Sequence, residues 1–379
     1  MAKRRDVLDV ENDTAAEPDT NAIPVQIDKI DITDRIYTVS ELKAEAAEYT
    51  GQILMEKGAH RSDGWDEAHK CELVESVLLG VPLPSFYFIK DKYDRIIIID
   101  GWRRLNALFE FMDNKYMLGK LKFYSQLNGK MFDQLEPRLQ KRIEEFKIEA
   151  HIILPGTPES VIFEVFSRVN RTATKCNKQE IRNGMYRGAV TALMERIIDS
   201  EAFQKATGET LTDVRKMNDR YLLTRFWAMI LVRRDCIRND DGTVYVYEGD
   251  FDDLSGRTLD CINHLPEAAV GELERLTLDA LEKAYFYLGS EAFLLRHISR
   301  KSPINMNVFE SVMYMMTMIP VKDETKRDYV NDEIYKFIST RAFHGSINNG
   351  RDSVVKWFRR LHEAERMGAM LRDHIANVR

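Results

Sequence analysis

The pattern of hydrophobic and polar residues predicts alternating strands and helices in the first half of the chain. Three short apolar runs predict strands, namely FYFIK, RIIIID and FKIEAHIIL. Other stretches place apolar residues three or four positions apart, which predicts helices with one buried face. These stretches are TVSELKAEAAEYTGQI, WDEAHKCELVESVLLG, WRRLNALFEFM, TPESVIFEVFSRVN and NKQEIRNGMY.

Several of the predicted helices have recognisable ends. Thr38 and Glu41 form a capping-box sequence, and apolar residues at helical spacing continue as far as Ile53. Gly80 suits a left-handed C-terminal cap. Thr157 precedes a proline and a glutamate, an order that is typical of a helix start.

The second half of the chain, from about residue 188, has an almost wholly helical pattern. The stretch MNVFESVMYMMTMIP predicts a core helix rather than a cofactor site. The exception is GTVYVYEGDF, which predicts either a small hairpin or an ordered insertion. The fold class is therefore α+β. We expect a disordered tail at 1–22, a small mixed sheet with flanking helices at 23–190, and a mostly helical domain at 191–379.

Charge and composition argue against several classes of protein. The net charge of −6 argues against a protein that coats DNA by overall electrostatics, although the last 41 residues carry a balance of +4. Four cysteines without a CxxC pair argue against a zinc finger or a disulfide framework. We find no apolar stretch long enough for a membrane span and no signal peptide. These features predict a cytoplasmic protein without a membrane partner.

The most informative stretch is RIIIIDGWRRLNALFEF. A strand ends at Asp100, Gly101 makes a turn, and a helix begins with Arg103 and Arg104 in its first turn. Cations are unfavourable at a helix N-terminus, but N–H groups and guanidinium groups together suit a bound phosphate. Asp100 could orient an arginine, contact a ribose hydroxyl or hold a metal ion. The alternative is an ordinary turn whose arginines point into solvent.

A second stretch, FEVFSRVNRTATKCNKQEIRNGMYRG, joins two amphipathic helices. It is dense in side chains that bind polyanions, and these are Arg168, Asn170, Arg171, Glu180, Arg182, Asn183 and Arg187. The alternative is a solvated helix–loop–helix in which the asparagines serve only as caps.

Three motifs in register resemble a known family, the domain found at the N-terminus of GmrSD-type, modification-dependent restriction enzymes. RSDGWDEAHKCELVESVLLGVPLPSFYF resembles its opening, IIIDGWRRL its Asp-Gly-Gln-Gln-Arg-Leu signature, and FSRVNRTATKCNKQEIRNGMYRG its Phe-x-x-x-Asn motif with the following helix. The resemblance covers about residues 40 to 190. It implies a fold similar to ParB and sulfiredoxin, in which a Gly-x-Arg-Arg segment holds nucleotide phosphates.

The resemblance also implies roles for individual residues. We expect Asp100, Arg104 and Asn170 to be catalytic. We expect the phosphates to be bound by Gly101, Arg103, Arg104 and Arg168. We expect the pocket to be supported by Trp65, Phe166, Glu180, Arg182 and Asn183. The implied ligands are an NTP of unspecified base and Mg²⁺, whose protein ligands the sequence does not identify.

The chain departs from the family at two points. Trp102 and Arg103 replace both signature glutamines, which puts hydrolysis in doubt but not binding. The family's frequent second domain, an HNH-type nuclease, is not evident.

Two functions therefore stay open. The first is a nucleotide-binding, NTP-hydrolysing protein that acts on or is regulated by nucleic acid in restriction or antiviral defence. The second is a non-catalytic nucleotide switch, or a DNA-binding module, that works with a partner nuclease. In the second case the helix SVVKWFRRLHEAERM is a candidate DNA contact, and its alternative is a closing helix with a solvated cationic face. We expect one side of this helix to be apolar, with Val354, Val355, Phe358 and Leu361, and the cations to lie elsewhere on it, namely Lys356, Arg359, Arg360 and Arg366. A homo-oligomer is compatible with either function.

Overall fold

A computed structural model describes residues 31–46, 53–54, 65–90, 95–157, 159–169, 178–208, 217–239, 241–295, 304–340, 343, 345 and 353–376. The predicted tail at 1–22 lies outside these residues. The described residues divide between Met185 and Tyr186 into two units, the first α+β and the second helical. The predicted fold class is confirmed. None of the described helices is long and apolar enough to cross a membrane.

The first unit contains a mixed sheet of five strands in the order β1-β5-β3-β4-β2. The strands are β1 (Ile32–Thr38), β2 (Ile53–Leu54), β3 (Phe86–Lys90), β4 (Ile96–Asp100) and β5 (Lys147–Ile153). β1 runs antiparallel to β5, and β3 runs antiparallel to β4. The β3–β5 and β2–β4 pairs are parallel. The three strands that the apolar runs predicted are confirmed, and β1 and β2 are additions to them.

Six helices of the first unit are described. They are α1 (Val39–Glu45), α2 (Glu67–Leu79), α3 (Trp102–Met112), α4 (Pro137–Glu144), α5 (Glu159–Val169) and α6 (Lys178–Met185). The capping box of Thr38 and Glu41 is present at the start of α1. The prediction that this helix continues to Ile53 is wrong, because α1 ends at Glu45 and Ile53 belongs to β2, paired with Ile96. Gly80 has the predicted left-handed conformation after α2.

The strands send successive side chains to opposite faces of the sheet, and each face has its own core. On one face Phe86, Phe88 and Ile152 pack with residues of α1 to α4. On the other face Ile97 and Ile153 join a smaller cluster with residues of α5 and α6. The sheet is therefore a central layer whose second face is covered by α5 and α6 near β4.

A buried carboxylate organises the connection between α3 and α4. The Glu75 side chain accepts hydrogen bonds from the backbone N–H groups of Lys122, Phe123 and Tyr124 at 2.7–3.1 Å. Burial alone would raise the pKa of Glu75, but the three backbone donors together lower it. This carboxylate is thus ionised and satisfied by the backbone of a loop that lies 47 to 49 residues away in sequence.

The second unit consists of packed helices around one apolar core. Eight of its helices are described, namely α7 (Ala189–Ile198), α8 (Glu201–Thr207), α9 (Asn218–Arg233), α10 (Phe251–Asn263), α11 (Glu267–Leu288), α12 (Met306–Met318), α13 (Arg327–Ile338) and α14 (Val354–Ala376). Every residue of α12 from Met306 to Met316 is buried, as predicted for the methionine-rich stretch. The stretch at 242–251 is an ordered insertion with one isolated bridge, Arg238 to Val244, and Tyr247 packs against Trp357.

Glu310 of α12 lies at the centre of this core between two arginines. Its carboxylate accepts hydrogen bonds from the Nε atoms of Arg225 (α9) and Arg360 (α14), each at 2.8 Å. All three side chains are at most 1% exposed. This buried ion-pair group fixes the relative positions of three helices, because an unpaired charge inside an apolar core is strongly destabilising.

Candidate functional site: the turn between β4 and α3

The predicted strand–turn–helix is present, and both its backbone conformation and its packing require a glycine at the turn. Gly101 follows the last residue of β4, Asp100, and precedes the first residue of α3. Its φ of 100° lies in the left-handed region, where a side chain is strained. A Cβ at this position would also lie 2.0 Å from Cδ1 of Phe86, a fully buried ring. The turn therefore packs directly against the core without an intervening side chain.

Arg104 holds this turn in place. Its Nη2 donates to the Asp100 carboxylate at 2.9 Å and to the Ser85 carbonyl at 3.3 Å, and its Nη1 donates to the Pro84 carbonyl. The guanidinium lies 4.0 Å from the centre of the Phe86 ring. Burial lowers the pKa of Arg104, while the Asp100 carboxylate opposes that change. The Arg104 side chain is 12% exposed, and it connects the end of β4 to the start of β3.

The N-terminus of α3 is suited to an anion. No side chain caps it, and no acidic residue lies in its first turn. The first N–H groups of a helix have no partner within the helix and carry partial positive charge. Arg103 is half-buried in the same turn and adds a full positive charge. These features give a positively charged turn beside the Asp100 carboxylate.

The second predicted stretch forms α5 and α6, which pack on the sheet beside β4. Arg182 is only 1% exposed, and its Nε donates to the Glu159 carboxylate at 3.3 Å. Its guanidinium also lies 4.9 Å from the Phe163 ring. Arg182 thus joins the two helices from within. Arg168, in contrast, is exposed at the end of α5 and pairs with Glu164 at 2.7 Å.

The other predicted site residues have different placements. Asn170 lies outside the described residues. Phe166 belongs to α5 and Glu180 to α6, but their side chains are not among the described ones. Asn183 is half-buried on α6. Trp65 is half-buried just before α2 and packs against the core on the α1–α4 face of the sheet.

Three contributors to the turn were not identified from the sequence. Pro84 and Ser85 contribute backbone carbonyls, and Phe86 contributes a ring, all from the segment that leads into β3. The sequence of this segment, VPLPS, has no local motif that identifies these contacts.

The C-terminal helix α14 is less cationic on its surface than its sequence suggested. Arg360, expected on the polar side, is buried against Glu310, and Val355, expected on the apolar side, is 65% exposed. Arg366 pairs with Glu363, and Arg372 pairs with Asp373. The expectation for Arg360 and Val355 was therefore wrong, since the buried stripe runs through Trp357, Arg360, Leu361 and Ala364.

The first unit is thus an α+β domain built around a positively charged strand–glycine–helix turn. Residues 60–187, about a third of the 379-residue chain, match the family model of the GmrSD restriction endonuclease N-terminal domain. This part of the chain is therefore similar to the N-terminal domain of GmrSD restriction endonucleases. No curated protein and no solved structure was found to match the chain.

Proposed function

We propose that this chain is a restriction-type defence protein whose GmrSD-type domain binds and hydrolyses a nucleoside triphosphate at the β4–α3 turn, and that it acts on or is regulated by DNA. The observation that carries the proposal is the uncapped, positively charged N-terminus of α3 next to Gly101. A phosphate at this turn accepts hydrogen bonds from backbone N–H groups and interacts favourably with the helix dipole.

The arginines of the signature take different roles in this proposal. Arg103 interacts with the phosphates directly from the first turn of α3. Arg104 acts mainly through the turn, because three of its five N–H donors are already engaged by Asp100, Ser85 and Pro84. Its remaining donors can still contact a ligand. Arg104 thus keeps Gly101 and the helix N-terminus in the conformation that receives the phosphate.

A Mg²⁺ ion fits the residues of the turn. Asp100 is 27% exposed, and one of its two carboxylate oxygens accepts the hydrogen bond from Arg104. Its other oxygen can serve as a ligand, and proteins commonly hold Mg²⁺ through one or two carboxylates together with substrate phosphates. The ion would neutralise charge on the phosphates during phosphoryl transfer.

The second candidate is a nucleotide switch that binds without hydrolysis and works with a partner nuclease. In its favour, Trp102 and Arg103 stand where the signature that this stretch resembles has two glutamines. Neither an indole nor a guanidinium can accept a hydrogen bond from an attacking water. Hydrolysis therefore needs a proton acceptor from elsewhere in the domain.

The test is binding and turnover of ATP and GTP by the full chain, each with and without MgCl₂ and double-stranded DNA. Arg103→Gln should weaken binding about 10- to 100-fold, because a charge-assisted hydrogen bond contributes about 1.5–3 kcal/mol. The matched control is Arg138→Gln, which removes an exposed arginine of α4 and should leave binding unchanged.

Three outcomes separate the candidates. Binding with turnover, weakened by Arg103→Gln only, supports the hydrolase. Binding without turnover supports the switch. Absence of binding of both nucleotides under all conditions contradicts a nucleotide site at this turn.

A further inference from the structure

The connection from α3 through α4 is a strongly cationic stretch in an otherwise acidic chain. Residues 114–142 contain seven lysines and arginines against two acidic residues, Asp133 and Glu136, which is a balance of +5. The whole chain has a net charge of −6, so the rest of it carries −11. The lysines of the loop between the two helices are Lys115, Lys120, Lys122 and Lys130. A local positive charge of this size suits a polyanionic partner.

The same loop exposes an aromatic ring among its lysines. The Phe123 side chain is 72% exposed, the highest fraction among the large hydrophobic side chains of the described residues. Lys122, the residue before it, is 76% exposed, and Lys120 is exposed as well. An exposed ring beside cations is a combination that binds unpaired bases, because the ring stacks on a base while the cations contact the flanking phosphates.

A buried carboxylate fixes the backbone that carries this ring. The Phe123 N–H donates to Oε1 of Glu75 at 2.7 Å, and the N–H groups of Lys122 and Tyr124 donate to the same carboxylate at 3.1 Å and 2.9 Å. Glu75 is only 5% exposed, so its charge faces these N–H groups rather than solvent. The ring is thus presented from an ordered loop, and a ligand loses little affinity to the ordering of that loop on binding.

Two of the lysines have acidic neighbours at the surface. The Nζ atom of Lys122 lies 3.8 Å from the Glu72 carboxylate, and that of Lys115 lies 3.3 Å from the Asp113 carboxylate. All four side chains are more than a third exposed. Ion pairs of this kind contribute little to stability, so a phosphate can replace the carboxylate beside Lys122 at small cost.

An arginine of α4 adds to the positive charge beside the loop. The Tyr124 hydroxyl donates to the Leu78 carbonyl at 3.4 Å, which places the loop against the end of α2. Arg142 lies at the same helix end, where its Nη2 atom would be 3.1 Å from a Cβ added to Gly80. Arg142 is exposed and makes no ion pair within the part of the chain that the structure describes. The loop and α4 therefore present cations around the end of α2.

We propose that this surface, formed by Phe123, Lys120, Lys122, Lys130 and Arg142, binds single-stranded DNA. The inference rests on the part of the proposed function that concerns DNA, and it names the form of the DNA and the surface that receives it. The Phe123 ring stacks on an unpaired base, and the cations contact the phosphates on either side. Paired bases in a duplex are already stacked on one another, so a duplex offers the ring no free base. Every base has an aromatic face, so we expect little dependence on sequence.

The experiment measures fluorescence anisotropy of a labelled oligodeoxythymidylate of about 20 nucleotides, longer than a usual single-stranded site, with the full chain. A labelled duplex of the same length is measured in parallel. The wild type should bind the single strand more tightly than the duplex. Phe123→Ala should weaken binding of the single strand about 5- to 150-fold, the equivalent of about 1–3 kcal/mol for one stacked base. Affinity for the duplex should change much less.

Further variants separate stacking from general hydrophobic contact. Phe123→Trp keeps an aromatic ring and should retain binding of the single strand, whereas Phe123→Leu keeps only an apolar side chain and should weaken it. The matched control is Val246→Ala in the helical unit, because Val246 is 67% exposed and has no ring. This control should leave binding unchanged. Circular dichroism and thermal melts establish that each variant is folded.

The salt dependence tests the contacts of the lysines with phosphates. The logarithm of the binding constant should fall linearly with the logarithm of the NaCl concentration, because bound cations are released from the DNA. Lys122→Gln should make this slope shallower by about 0.7, the value for one phosphate contact on a single strand. Lys336→Gln is the matched control, since Lys336 is 68% exposed and also pairs with a carboxylate, that of Glu333. It should leave the slope unchanged.

Binding of the single strand that depends on the ring at position 123 supports the proposal. Binding that is equally tight for the duplex, or that Phe123→Ala leaves unchanged, overturns it. Absence of DNA binding together with Phe123-dependent binding to vesicles of phosphatidylserine and phosphatidylcholine overturns it in favour of a membrane surface. Binding and turnover of ATP and GTP are measured separately without DNA. Turnover by a chain that binds no single strand therefore overturns this inference alone, and absence of nucleotide binding beside Phe123-dependent DNA binding overturns the nucleotide site alone.

Discussion

Gly101→Ala is the sharpest test of the turn on which the site depends. The substitution introduces strain of two kinds. An alanine in the left-handed region at φ 100° costs about 1–2 kcal/mol. The new Cβ would also lie 2.0 Å and 2.4 Å from two carbons of the Phe86 ring, whereas carbon atoms normally approach to about 3.5–4.0 Å.

Relief of that contact needs a shift of about 1.5 Å by a fully buried ring that also packs against Arg104. Overpacking of this kind costs about 1–3 kcal/mol, so the total destabilisation should be about 2–5 kcal/mol. Gly129→Ala is the matched control. Gly129 has a φ of 82°, and a Cβ added there would have no atom within 4 Å apart from those of its two chain neighbours, so only the conformational cost of about 1–2 kcal/mol applies.

Hydrogen exchange detected by mass spectrometry is the suitable assay, because it reports on β3, β4 and α3 separately from the helical unit. Gly101→Ala should lower protection in those elements by more than Gly129→Ala does. In a Phe86→Ala background the added Cβ meets no ring, and the cost of Gly101→Ala should fall to that of the control. Equal costs for Gly101→Ala and Gly129→Ala in the wild-type background would refute the reasoning.

Two further predictions concern buried carboxylates. Glu310→Gln should destabilise the helical unit by about 3–5 kcal/mol in urea denaturation, because Arg225 and Arg360 lose the charge that compensates them. The control, Glu363→Gln at the surface, should cost under about 1 kcal/mol. Similar losses of stability in both variants would contradict the prediction. The pKa of Glu75 is lowered from its ordinary value of 4.5 in the folded chain, so its stabilisation is present above that pH and is lost as the pH falls through the lower folded value. The difference in Tm between wild type and Glu75→Gln should therefore shrink from about pH 7 to about pH 3, and a constant difference would disprove it.

The sequence predicted those elements whose signal is local. β3, β4 and β5 are continuous apolar runs, and α2 and α3 have regular apolar spacing. β1 was missed because alternation along ITDRIYT leaves Ile32 and Ile36 exposed, and its partner β5 lies more than 100 residues away. β2 has two residues, too few for any periodicity. Pairing over long sequence distances is decided by the assembled sheet and not by the local pattern.

Arg360 shows why side-chain roles are harder to predict than helices. Its position fits the buried stripe of α14, together with Trp357, Leu361 and Ala364. An arginine in such a stripe contradicts the usual exposure of charge unless a partner is buried with it. That partner, Glu310, lies 50 residues away on α12, within a stretch whose sequence indicates purely apolar packing. The charge counted from the sequence of a helix therefore overestimates the charge that is exposed on its surface.

The buried contacts of an arginine also decide which substitution can test the nucleotide site. Arg104 matches the arginine of the family signature, which suggests a phosphate ligand, but its guanidinium is engaged by Asp100 and two backbone carbonyls. Loss of binding in Arg104→Ala would not distinguish a lost phosphate contact from a turn that has changed conformation. Arg103→Gln leaves the hydrogen bonds of Arg104 to Asp100, Pro84 and Ser85 in place, so its effect reports more directly on the ligand contact. A strong effect of Arg104→Ala beside no effect of Arg103→Gln would assign the positive charge to the scaffold of the turn and leave the helix N–H groups as the phosphate ligands.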